Sequence, residues 1–110
     1  MTVNKTLTRI HRQRTIDVLI EGDAPGADRL AGHWAQRNGV TSVKYPADWG
    51  THGKRAGPLR NLRMLREGKP ELVVAFPGGA GTAHMVQLAR GAGVEVIEVK
   101  PLSFIAAKEK

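Results

Sequence analysis

The chain has 110 residues, 41% of them hydrophobic, and 17 Lys and Arg against 10 Asp and Glu give a formal charge of +7. That length supports one domain with a modest core, and the absence of cysteine excludes disulfides and thiolate metal sites. No apolar run nears the roughly 18 residues of a membrane span and no signal-peptide core opens the chain, so a cytoplasmic protein with an anionic partner and no membrane association is expected.

Val3, Leu7, Ile10 and Arg14 recur at helical spacing and predict an amphipathic helix over residues 4–14 with a basic outer face. Thr15 to Glu21 reads as a strand, ended by Gly22-Asp23-Ala24-Pro25-Gly26. From Ala27, apolar residues at Leu30, Ala31, Trp34 and Ala35 predict a second helix, and Gly39 closes it in the position that favours glycine. Val40 to Tyr45 makes a more polar strand, suited to a sheet edge. Residues 46–57 lack periodicity and predict a long loop, a kind of segment more often functional than idle. Pro58 is expected at the first position of the next helix, with Leu59, Leu62 and Leu65 inward and Arg60, Arg63 and Arg66 elsewhere, and Gly68 ends it. Leu72 to Phe76 reads as a central parallel strand buried on both faces. A Gly-rich turn then opens a helix from Thr82 to Arg90, whose apolar face is Met85, Val86, Leu88, Ala89 and Ala92, and Val94 to Val99 is the last strand. Ala106 to Lys110 is a polar tail.

This alternation predicts a single α/β domain of three layers around a mostly parallel sheet of about four strands. Ligands of such sheets sit at the carboxyl ends of the strands, so the loops at 22–28, 45–57 and 77–82 are expected to converge.

Chemistry is carried by those loops. The glycines Gly78, Gly79 and Gly81 let backbone N–H groups approach a phosphate, and the helix start adds free donors and a positive dipole end. Thr82 either caps the helix or gives its hydroxyl to a phosphate oxygen; a tight turn without a ligand is the plainer alternative. Gly22, Asp23, Gly26 and Asp28 form a second strand-to-helix turn, in which Asp28 either serves the helix start or meets a ribose hydroxyl or a basic side chain. Arg60, beside Asn61, can grip a phosphate bidentately or stand as an exposed helical arginine. Tyr45 and Trp49 either stack on a base or anchor the loop, with Lys54 and Arg55 as cationic neighbours. The basic stretches 1–16 and 52–69 are either solvated surface or contacts for nucleotide or nucleic-acid phosphates. His11, His33, His52 and His84 share no ligand spacing, so neither a metal nor a cofactor is expected. No nucleophile elbow or Walker lysine is present, only His84 follows the glycine turn, and no catalytic residue is assigned.

These pieces resemble the SLOG superfamily of Rossmann-like nucleotide-binding domains, and within it the YspA-like, cpYpsA-related branch of small bacterial and phage proteins. The resemblance runs over about residues 15–100, through Gly22-Asp23-Ala24-Pro25-Gly26-Ala27-Asp28, Pro46-Ala47-Asp48-Trp49, Ala56-Gly57-Pro58-Leu59-Arg60-Asn61 with Met64, and Pro77-Gly78-Gly79-Ala80-Gly81-Thr82. The LOG, lysine-decarboxylase-like phosphoribohydrolases are similar more distantly, sharing Arg60, Met64 and the glycine turn. That resemblance implies phosphate on the turn and a catalytic role for the arginine. In those enzymes glutamates follow the threonine, whereas here Ala83, His84 and Met85 do, which weighs against an enzyme. The first loop is also similar to that of SLOG DNA-processing proteins, which bind single-stranded DNA. The family usually begins with a central strand ahead of the helix that Asn4–Arg14 resembles. With that strand absent, strands 15–21 and 72–76 are expected to pair directly, or a second copy of the chain to fill the gap.

The expected function is therefore a small binder of a nucleotide or nucleotide derivative, a sensor or sequestering module acting as a homodimer or larger assembly. A nucleoside-monophosphate phosphoribohydrolase is the first alternative. Nucleic-acid binding through the basic faces at 5–14 and 54–69 is the second.

Overall fold

In the computed structural model, which describes residues 2–99, the chain divides after Lys69 into two units. The first holds helix α1 (Thr2–Gln13), strand β1 (Val18–Glu21), helix α2 (Ala27–Arg37), strand β2 (Thr41–Lys44), short helix α3 (Trp49–His52), a 3-10 turn (Gly53–Arg55) and helix α4 (Ala56–Gly68). The second holds strand β3 (Leu72–Ala75), helix α5 (Ala80–Gly91) and strand β4 (Glu95–Glu98). The tail expected from Ala106 lies outside the described residues.

The apolar stripe of α1 sets the first core. Val3, Leu7 and Ile10 are buried, and α1 packs on α2, whose Trp34 and Ala35 are almost fully enclosed. Two polar contacts fix this packing. Trp34 Nε1 donates to Thr8 Oγ1 at 3.0 Å, and the His11 ring meets the indole edge-on with centroids 5.5 Å apart. His11 Nδ1 also accepts the Ile16 N–H at 3.0 Å. That bond draws residues 14–17 against the end of α1, so β1 starts at Val18 and not at Thr15.

β1 and β2 are parallel, with Val18 beside Thr41 and Glu21 beside Lys44. The pleat sends Leu19 and Glu21 to one face, which α2 covers through Gly32. It sends Ile20 to the other, where the Gly68 backbone of α4 lies so close that a Cβ there would stand 2.8 Å from Ile20 Cδ1. β2 is exposed along its length, as an edge strand is.

Several boundaries differ from expectation. Residues 49–55 are helical and not a loop, because Asp48 caps α3 by accepting the Thr51 N–H at 3.1 Å, and one such turn is too short to show periodicity. The 3-10 turn feeds directly into α4, so Pro58 is its third residue and not its first. Gly68 stays helical, and Lys69 takes the left-handed conformation that ends α4, at φ 48°.

In the second unit β3 and β4 are parallel and α5 packs on both. Val86 and Ala89 of α5 are buried, as is Ala75 of β3. Leu72, Val73 and Val74 are only half-buried, short of the two-faced burial expected. α5 begins at Ala80, earlier than Thr82, with Gly79 as its cap. Within the first unit β1 pairs with β2, and within the second β3 pairs with β4, both in parallel. Each pair is closed by its own crossover helix, α2 or α5, as a βαβ unit.

Replacing Thr8 with Val keeps the shape of the α1–α2 contact but strands the indole N–H of a buried tryptophan. A loss of about 1–3 kcal/mol of unfolding free energy is expected in urea titrations followed by tryptophan emission.

Candidate functional site

The turn between β1 and α2 is held from several sides. The Asp28 carboxylate folds back over it, with Oδ2 accepting the N–H of Gly22 at 3.1 Å and of Ala24 at 3.2 Å. It caps no helix: the cap of α2 is Gly26, which has no side chain to offer. From α4, Arg60 Nη1 donates to the Gly22 carbonyl, and Nε donates to Asn61 Oδ1 at 2.9 Å. Asn61 is buried. A Cβ on Gly22 would overlap the Arg60 guanidinium and come within 3.0 Å of Asp28 Oδ2. Thus Gly22, Asp28, Arg60 and Asn61, all named from the sequence as ligand candidates, form one hydrogen-bonded cluster.

Asp23 takes the left-handed conformation at φ 56°. Its carboxylate lies 3.6 Å from both Arg29 and Lys44. Gly26, at φ 89°, completes the turn. The residues that sequence reasoning missed are Glu21 and Lys44. Glu21 is 3% exposed, and its carboxylate accepts the Asp23 N–H through Oε1 and Lys44 Nζ at 2.6 Å through Oε2. The hydrogen bond to Glu21 pushes the Lys44 ammonium above its usual range. A charged residue ending an otherwise apolar strand, matched by a lysine ending the next, was the available signal.

Tyr45 donates its backbone N–H to the Glu21 carbonyl at 2.8 Å, and the Arg63 guanidinium stands 5.5 Å from its ring centre. Trp49 packs its ring edge over Gly57 yet stays 59% exposed. Lys54 and Arg55 are exposed on the adjoining 3-10 turn. Hydrogen bonds from the Thr51 side chain and backbone hold the Asp48 carboxyl below its usual value.

In the second unit, residues 78–81 are exposed. The first helical bond of α5 runs from the Ala83 N–H to the Gly79 carbonyl, which leaves the amides ahead of it outside the helix's own ladder. Gly81 has a polar partner. The amides of Gly78, Gly79, Ala80 and Thr82 have none among the described residues. Thr82 does not cap the helix; its Oγ1 lies over Gly78, where any Cβ would collide with it. α5 carries no acidic residue.

Comparison with known proteins agrees with these motifs. The sequence model of the YspA, cpYpsA-related SLOG family matches residues 1–52. Gene 61 protein of Mycobacterium phage D29 is 42% identical over 95 residues, covering 80% of this chain and 75% of that protein. The chain belongs to the YspA, cpYpsA-related SLOG family. No solved structure matches it. Family membership brings a nucleotide-related ligand into view. Among the described residues no helix is long and apolar enough to cross a membrane, and no group of three or more His, Cys, Asp or Glu is placed to hold a metal ion.

Asp28→Ala leaves two loop amides without their acceptor and should cost about 1–3 kcal/mol of stability in denaturant titrations. Acid should loosen α3. A depressed folded-state pKa means that the Asp48 cap contributes fully above its ordinary value of 3.8 and is lost as pH falls through the lower folded value. In a Trp34→Phe background, Trp49 emission should therefore shift below that pH. Asp48→Asn, which caps without titrating, should abolish the step.

Proposed function

We propose that the protein binds a nucleotide or nucleotide derivative whose phosphate is taken by the turn Gly78–Thr82, and that it serves as a sensor or sequestering module. The observation that carries this reading is the set of amides at the exposed Gly78, Gly79 and Ala80 and the half-buried Thr82, without acceptors among the described residues, at the start of a 12-residue helix. Backbone donors left open beside a positive helix end favour an anion, and the Thr82 hydroxyl over Gly78 adds a further donor. Binding without turnover fits a helix that lacks any carboxylate to act as acid or base where the related hydrolases carry glutamates.

A thermal-shift screen against mononucleotides, cyclic nucleotides and ADP-ribose derivatives tests this. A true ligand at 100 times its dissociation constant should add about 2.7 kcal/mol to stability. Gly79→Asp, which sets a carboxylate against the open amides, should remove that gain while leaving the unliganded melting point within a few degrees. A screen in which no compound moves the melting point would sink the proposal, and free base released from a monophosphate at enzymatic rates would replace it with the hydrolase reading.

A further inference from the structure

The outward face of α1 is a second candidate site, unconnected with the glycine turn. Lys5, Arg9 and Arg12 are spaced four and three residues apart, which sets them within about 60° of arc and about 10 Å along the helix. All three are exposed, and none makes a hydrogen bond or ion pair among the described residues. No acidic residue occurs in α1 to neutralise them. The other basic stretch is different. On α4, Arg60 is committed to the Gly22 carbonyl, while Arg63 pairs with Glu67 at 3.3 Å and stands over Tyr45.

Beside the three cations, Asn4 and Thr8 complete the lining of an open groove of about 290 Å³. Asn4 Oδ1 is buried and has no hydrogen-bond partner among the described residues. Thr8 Oγ1 accepts from Trp34, which leaves its hydroxyl proton to donate. Phosphate oxygens satisfy lysine and arginine, and three cations in a row along one helix face match the repeating phosphates of a nucleic-acid strand. Anionic lipid fits less well, because the apolar residues of α1, Val3, Leu7 and Ile10, are buried against the protein and cannot enter a bilayer.

We infer that α1 is a nucleic-acid-binding face, with Lys5, Arg9 and Arg12 on backbone phosphates. The test is fluorescence anisotropy of the full chain with short labelled single-stranded and duplex DNA, beside a sedimentation assay on phosphatidylserine–phosphatidylcholine vesicles. Three phosphate contacts should weaken affinity about 20-fold for single strands, or about 40-fold for duplex, between 50 and 200 mM salt. The triple variant Lys5→Gln, Arg9→Gln, Arg12→Gln should flatten that salt dependence and lose most of the affinity. Its melting point should be unchanged, since none of the three side chains packs. Absence of DNA binding at 50 mM salt, binding untouched by the triple variant, or binding to vesicles but not to DNA would each overturn the inference.

Discussion

The Gly22 peptide is gripped at both ends, and the first unit is built around that grip. Its N–H goes to Asp28 in the first turn of α2, and its carbonyl takes the Arg60 guanidinium from α4. Three elements that are distant in sequence are thereby tied to one backbone unit at the carboxyl end of β1. Only glycine serves here, since a side chain would displace the guanidinium and press on the carboxylate. The two charged groups that look most like ligand-binding residues thus serve first as the frame of the loop. Such a frame is what a rigid binding loop requires.

Much of this was legible in the order of residues. Four of the five α-helices and all four strands follow from apolar spacing and from glycine and proline punctuation, and the boundaries moved where a local bond competed. His11 claimed the Ile16 amide and shortened β1, and Asp48 made a helix out of a segment with no period to detect. Both effects are short-range hydrogen bonds of polar side chains, which hydrophobic patterning does not record. The family was legible as well, since its motifs are compact and lie in order along the chain.

Less legible was which polar residues serve the fold. For Asp28 and Arg60 the sequence leaves a ligand and a structural role both open, and the bond from Arg60 to Gly22 depends on α4 lying against β1, a contact between residues 38 apart that no local pattern encodes. In the glycine turn the reading rested on local geometry alone; Gly81, one of the residues named there, has a partner, while the amide of Ala80, which was not named, has none among the described residues.

The pairing of the buried Glu21 carboxylate with the exposed Lys44 has a consequence for how the chain avoids wrong folds. β2 is short, polar and exposed on every residue, so hydrophobic burial says little about where along β1 it should lie. Sliding it by one residue would bring Val43 or Tyr45 opposite Glu21 and abandon a carboxylate in the interior without its cation, a severe penalty for a small protein. One ion pair at the strand ends therefore does for this edge what a row of apolar side chains does elsewhere: it makes every neighbouring alignment costly.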